Sequence, residues 1–184
     1  MENYIQWVKA NPLLSSAIQF GILGTLGEIL SSSFKAKSFN LPGRWYQVAA
    51  KVFAWALLGI VIKYGFAGMK GFTSALLDHQ MLPAIFASGI GWAFAVSVFT
   101  NIFFGPQMML FHRLEDNLIA WELNLAGLTN AWWTLLWFWI PAHTITFSLP
   151  TEYQIGLAAI WSLILGLILG LTKGKSQPVI PKSS

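Results

Sequence analysis

The chain has 184 residues, 55% of them hydrophobic and only 10% charged, with a formal charge of +4 and a mean hydropathy of +0.60. Soluble domains carry about a quarter charged residues, so lipid is a better solvent than water for this surface, and basic residues scattered singly exclude a nucleic-acid-binding face. Cysteine is absent, which removes disulfides, thiolate metal sites and cysteine nucleophiles.

Met1–Lys9 contains Glu2 and no arginine, unlike an organellar transit segment, and the mature chain is expected to begin close to Met1. Asn3–Lys9, with Trp7, reads as a short amphipathic lead-in. Five apolar stretches follow, at residues 13–32, 46–66, 83–105, 129–149 and 152–171; roughly 20 such residues cross the hydrocarbon of a bilayer. The fourth and fifth meet at Leu149-Pro150-Thr151-Glu152, where Pro150 cannot continue a helix and Glu152 marks the water boundary. That short link predicts an antiparallel hairpin.

The expected fold is therefore all-α: a polytopic transmembrane helical bundle of about five spans, residues 1–173, followed by a disordered tail, 174–184, holding Pro178 and Pro181. Four spans, with one stretch lying at the interface, satisfy the same pattern. With five, Lys35, Lys37, Arg44, Lys51, Arg113, Lys173, Lys175 and Lys182 share one side, and Lys9, Lys63 and Lys70 the other. That imbalance predicts a cytoplasm-like side holding the first and third loops and the C-terminal tail.

Between the third and fourth stretches, Met108, Phe111, Leu114, Leu118, Trp121 and Leu125 recur at helical steps, with His112, Arg113, Asp116 and Asn117 opposite. Glu115, Asp116 and Glu122 stand there against a single arginine, the wrong balance for a helix gripping anionic lipid. The segment is expected to be an amphipathic interfacial helix docked against the bundle. The ten tryptophans, four of them at positions 132, 133, 137 and 139, read as an interfacial belt and lipid-facing bulk rather than as a ligand cage.

Small residues mark the expected helix contacts: Gly89, Ala93, Ser97, Asn101 and Gly105 at i+4 steps, Gly166 and Gly170, and Gly24 one turn before Glu28. Glu28 is the sharpest functional signal. A charge at the bilayer centre costs about 2.5–3.5 kcal/mol on insertion scales, so it faces a partner or a wet cavity; a glutamate at the membrane boundary is the bland reading. Lys51, Lys63, Asn101, His143 and Thr146 are the polar company available for a track or pore. In a narrow passage the Glu28 carboxylate would favour cations. Pro141 is the expected kink, freeing the carbonyl of Trp137.

No catalytic residues and no cofactor are expected. His112, Glu115 and Asp116 have metal-compatible helical spacing, but a solvated charged face explains them, and no phosphate loop, HExxH or GxSxG motif occurs.

Several segments resemble one family, the Mpv-seventeen and twenty-two-kilodalton peroxisomal membrane proteins. Gly27-Glu28-Ile29-Leu30-Ser31 is similar to its first-helix Gly-Asp signature, and Leu76-Leu77-Asp78 to its Leu-Asp-Gln before the third helix. Trp139, Pro141, His143, Thr146-Phe147, Pro150, Tyr153 and Trp161-Ser162 follow its Trp-Pro, Gln, Asn-Phe, Pro, Tyr-Arg, Trp-Asn pattern, with His143 for Gln, Thr146 for Asn, Gln154 for Arg and Ser162 for Asn. Ile140 intervenes between Trp139 and Pro141, and Trp161 arrives about one turn early. The resemblance implies a small bundle that forms or regulates a weakly selective channel for small solutes and metabolites. Its partners would be the lipid bilayer, the solutes and a second copy in a homo-oligomer, in a bacterial inner membrane or an organellar membrane. A non-catalytic assembly or scaffold subunit of a larger membrane complex is the competing expectation.

Overall fold

The computed structural model of the chain describes the backbone of residues 2–172 and the side chains of residues 2–165. The expected disordered tail with Lys175 and Lys182, and Lys173 before it, lie outside the described residues. Among those described, every regular element is helical: α1 (Glu2–Ala10), α2 (Pro12–Ala36), α3 (Trp45–Asp78), α4 (Gly89–Phe99), α5 (Gly105–Ala120), α6 (Leu128–Thr134), α7 (Ile140–Phe147) and α8 (Thr151–Thr172), with a short 3-10 turn at Ala84–Phe86. Among the described residues, three helices are long and apolar enough to cross a membrane: α2, α3 and the continuous rod of α4 and α5 from Gly89 to Ala120.

That rod corrects the reading of a separate helix after the third apolar stretch. The segment beginning at Pro106 does not lie apart as a separate interfacial element but continues the third apolar stretch. Pro106 has no N–H to give, and the backbone accommodates it by a π-turn over Thr100–Phe104, where the Gly105 N–H reaches back five residues to the Thr100 carbonyl. The same device precedes the second proline. A π-turn over Leu135–Trp139 lets the Ile140 N–H bond to Leu135, and Pro141 enters α7 at its first turn. Each proline thus falls just after a change of hydrogen-bond register, where one missing donor is tolerated. The two π-turns touch each other.

α2 is flanked by α3 and α8, α3 also packs on α5, and α4 packs on α7. These contacts turn ordinary amphipathicity inside out. On α2, Ser15, Ser16, Gly21, Gly24 and Thr25 are buried, while the row Leu14, Ile18, Ile22, Leu26 and Leu30 is exposed. On α5, His112, Asp116 and Asn117 turn toward the bundle, while Phe111, Leu114 and Leu118 point away, Leu118 at 70% exposure. The segment does dock on the bundle, and it docks by its polar face.

Glycines set the closest approaches. A Cβ on Gly59 would meet the Ser16 carbonyl oxygen at 2.5 Å, and one on Gly105 would meet Leu135 Cδ2 at 2.7 Å. A Cβ on Gly24 would overlap the Trp55 ring. Ala93 and Ser97 are fully buried. Gly89 is a correction: nothing lies within 4 Å of where its Cβ would be, and its φ of +58° shows that it serves the turn into α4 rather than packing. Gly166 and Gly170 lie outside the residues whose side-chain surroundings are described. At the other end of the bundle, the Tyr4 hydroxyl donates to Gln19 Oε1 at 3.0 Å and Lys9 pairs with Glu152 at 3.3 Å, holding α1 onto α2 and α8.

Candidate functional site

A cavity of about 460 Å³ lies between α2, α3, α5, α8 and the π-turns, with Lys35, Pro42, Arg113 and Asp116 toward one end and Phe66, Asn101 and His143 toward the other. Along α3 the lining runs from Trp55 to Phe66, a rise of about 16 Å at 1.5 Å per residue. The volume would hold about 15 waters at roughly 30 Å³ each.

Three pairs of residues, each one helical turn apart, meet at the charged end: Gly24 and Glu28 on α2, Lys51 and Trp55 on α3, His112 and Asp116 on α5. Because Gly24 has no side chain, the Trp55 indole lies against α2, and its Nε1–H donates to Glu28 Oε1 at 2.6 Å. One turn back along α3, the Lys51 ammonium pairs with Glu28 Oε2 at 2.5 Å and with Asp116 Oδ1 at 2.8 Å. Lys51 is the best shielded of the three charges, with its side chain 14% exposed. His112 stacks on Trp55 with ring centroids 4.4 Å apart and sits 3.9 Å from Asp116 Oδ2 and 3.7 Å from Glu115 Oε2.

The charged face expected to be solvated is therefore turned inward. Ligand atoms of Glu28, His112 and Asp116 lie within 4.8 Å of one another, a geometry that could hold a cation. Lys51 already supplies the positive charge to both carboxylates, so a metal ion would have to displace an ammonium. Arg113 and Lys35 also line this end of the cavity. Glu28 is thus not a lone carboxylate: its charge is met by Lys51, and its side chain is 21% exposed.

The opposite end is uncharged. Asn101 and His143 meet there, Asn101 Nδ2 lying 2.8 Å from the Ser97 carbonyl and 3.1 Å from His143 Nδ1. A carbonyl can only accept, so the amide NH2 faces it; His143 Nδ1 must then accept as well, and the imidazole proton resides on Nε2. The Ser97 hydroxyl donates to the Ile140 carbonyl at 2.7 Å, tying α4 to the start of α7, and Thr144 Oγ1 donates to that same carbonyl. Phe66 packs edge-on to His143 at 5.3 Å and to Phe147 at 4.8 Å, and Ala93, Val96 and Ile155 complete an apolar cluster beyond it.

Of the residues singled out in the sequence, Glu28, Asn101 and His143 line this cavity, and Lys51, outside the wall, pairs with the lining Glu28 and Asp116. Thr146 does not line it: it is fully buried, its hydroxyl is spent on the Ala142 carbonyl at 2.9 Å, and it forms no part of the cavity wall. Lys63 is likewise absent from the wall. Near Pro141, the helix changes hydrogen-bond register in the π-turn over Leu135–Trp139, which contains Trp137. Sequence reasoning missed Trp55, Asp116 and Trp139 as lining residues. The one available signal was the i, i+4 pairing of Lys51 with Trp55 and of His112 with Asp116, which repeats that of Gly24 with Glu28. Compared with known protein families, characterised proteins and solved structures, the chain matches none.

Proposed function

We propose that the chain is an integral membrane bundle of five spans whose central cavity admits small solutes, a conduit of the kind implied by its resemblance to the Mpv-seventeen family. The observation that carries this reading is the inverted distribution of side chains around a polar-mouthed cavity. Leucine and isoleucine on the outside, with serine, threonine, asparagine and paired charges inside, is unfavourable in water and favourable in lipid.

Distances along the helices support the same reading. Lys51 and Lys70 stand at opposite ends of α3, separated by about 28 Å of helix, close to the hydrocarbon thickness of about 30 Å. Lys70 bonds Gln154 near the start of α8, whereas Lys51 bonds Asp116 near the end of α5. α2, α3, the α4–α5 rod, the α6–α7 rod and α8 then alternate in direction, with the basic loops on one side. Introduced cysteines at Ser38 and Ser176 should react with an impermeant reagent from the same face; reaction from opposite faces rejects five spans.

The cavity opens toward Lys35 and Asp116, and the apolar cluster around Phe66 and Phe147 closes it at the other end, which describes an occluded conduit. That closure also favours the second reading, a non-conducting assembly subunit. Solute entry into liposomes containing the purified chain separates the two: a conduit raises entry of small solutes above that of protein-free vesicles, and a scaffold does not.

A further inference from the structure

We propose that the uncharged end of the cavity is a binding site for a small, uncharged solute bearing both hydrogen-bond donors and acceptors, of the polyol or amide kind. The proposal deepens the conduit reading and rests on it for how the solute arrives. Four cavity-lining residues there carry hydrogen-bonding capacity that no described residue uses. Thr100 Oγ1, Asn101 Oδ1 and Trp139 Nε1 are buried without a partner, and Nε2–H of His143 has no hydrogen bond among the described residues. All four side chains are more than nine-tenths buried. Buried polar atoms are almost always paired, and a cluster of unpaired ones calls for an explanation.

The set is mixed in kind. Asn101 Oδ1 accepts, Trp139 Nε1 and His143 Nε2 donate, and the Thr100 hydroxyl can do either. A bare cation would find two fixed donors against it, and an anion would meet the amide oxygen. No aspartate, glutamate, lysine or arginine lines this end, so any charged solute would lose hydration without a counter-charge. The walls beside the polar atoms are the rings of Phe66, Phe104 and Trp139 and the side chain of Leu58, which suit the carbon skeleton of such a molecule. The polar atoms come together because the two π-turns face one another: Thr100 and Asn101 belong to one, and Trp139 closes the other. π-turns are often found where a helix presents side chains for function rather than for packing.

The chain has three histidines, so full-length protein labelled with 15N-histidine and held in lipid nanodiscs gives resolvable imidazole signals, with His143→Gln assigning one of them. Titration with glycerol or urea should shift the His143 Nε2 resonance saturably and leave those of His79 and His112 unmoved. Acetate and methylammonium, of similar size but charged, should leave His143 unmoved. In proteoliposomes, Trp139→Phe, which deletes one donor and keeps an aromatic wall, should slow glycerol entry about threefold to tenfold, the value of one hydrogen bond. A His143 signal that ignores glycerol and urea, or that follows the charged probes equally, overturns the proposal even if the wild-type protein conducts. Saturable shifts without solute entry keep the site and remove the conduit. The titration uses the wild-type chain, so it decides the matter even if Trp139→Phe fails to fold.

Discussion

The two ends of the cavity differ in the kind of polar group they hold. At the mouth the Glu28, Asp116 and Lys51 charges meet one another: Glu28 holds Lys51 and Trp55, and Asp116 holds Lys51, while the nearby Glu115 carboxylate and His112 Nδ1 are buried without a hydrogen bond. At the closed end there are no charges, and several hydrogen-bonding atoms remain unspent. The contrast follows from what each kind of group costs. An ion in a poorly solvated place must be neutralised at once, because desolvating it is expensive, whereas an unpaired hydroxyl or indole costs about 1–3 kcal/mol and can be tolerated while it waits for a ligand. The mouth is therefore a structural clasp between α2, α3 and α5, and the neutral end is the part left chemically open.

Breaking the clasp gives the largest expected effect. Lys51→Met leaves two carboxylates facing each other with no cation. It should lower stability by about 2–4 kcal/mol, somewhat below the range for a wholly buried pair because these groups are partly exposed, read as thermal unfolding of the purified protein. Adding Glu28→Gln to it should restore part of that loss; a double variant no more stable than Lys51→Met would mean that carboxylate repulsion is not the cause. Next comes Gly24→Ala, whose Cβ would overlap the Trp55 ring. Overpacking of this kind costs about 1–3 kcal/mol, and Trp55 should lose its bond to Glu28, which indole-directed ultraviolet resonance Raman of wild type against the variant would report.

Glu28→Gln alone should cost less, about 1–2 kcal/mol, since Lys51 keeps Asp116 and the amide still accepts from Trp55. In vesicles that take up solute it should leave the preference between cations and anions nearly unchanged. A large shift toward anions would show that Glu28 acts as a free charge in the passage, as its sequence position alone would suggest. At the neutral end, Ser97→Ala removes one bond to a carbonyl that Thr144 still satisfies, so a loss of about 0.5–1 kcal/mol is expected by chemical denaturation. Thr146→Val belongs to neither end and should be the mildest, within about 0.5 kcal/mol and without effect on solute entry. A marked change in entry would return Thr146 to the polar track.

Much of the helical architecture was legible in the sequence because its signals are local. Runs of about 20 apolar residues, Pro150 after Leu149, and glycines at i+4 steps are properties of single segments, and they suffice for an all-helical chain with membrane-length helices and for the close approaches at Gly24 and Gly105. Glu28 also stood out alone, because a carboxylate within an apolar run is costly wherever the run packs.

What needed the tertiary structure was which way each face turns and which residues meet. The segment from Pro106 carries the same alternation of polar and apolar faces whether it lies on a surface or crosses the bundle, so periodicity could not tell that its polar face points inward. The link from Glu28 to Lys51 spans 23 positions and that from Lys51 to Asp116 spans 65; no local pattern specifies a partner at that distance. Hydrophobicity along the chain determined which stretches leave water. Only the packing of α2, α3 and α5 decided that Glu28 would be a neutralised clasp, and only the facing π-turns brought Asn101, Trp139 and His143 together.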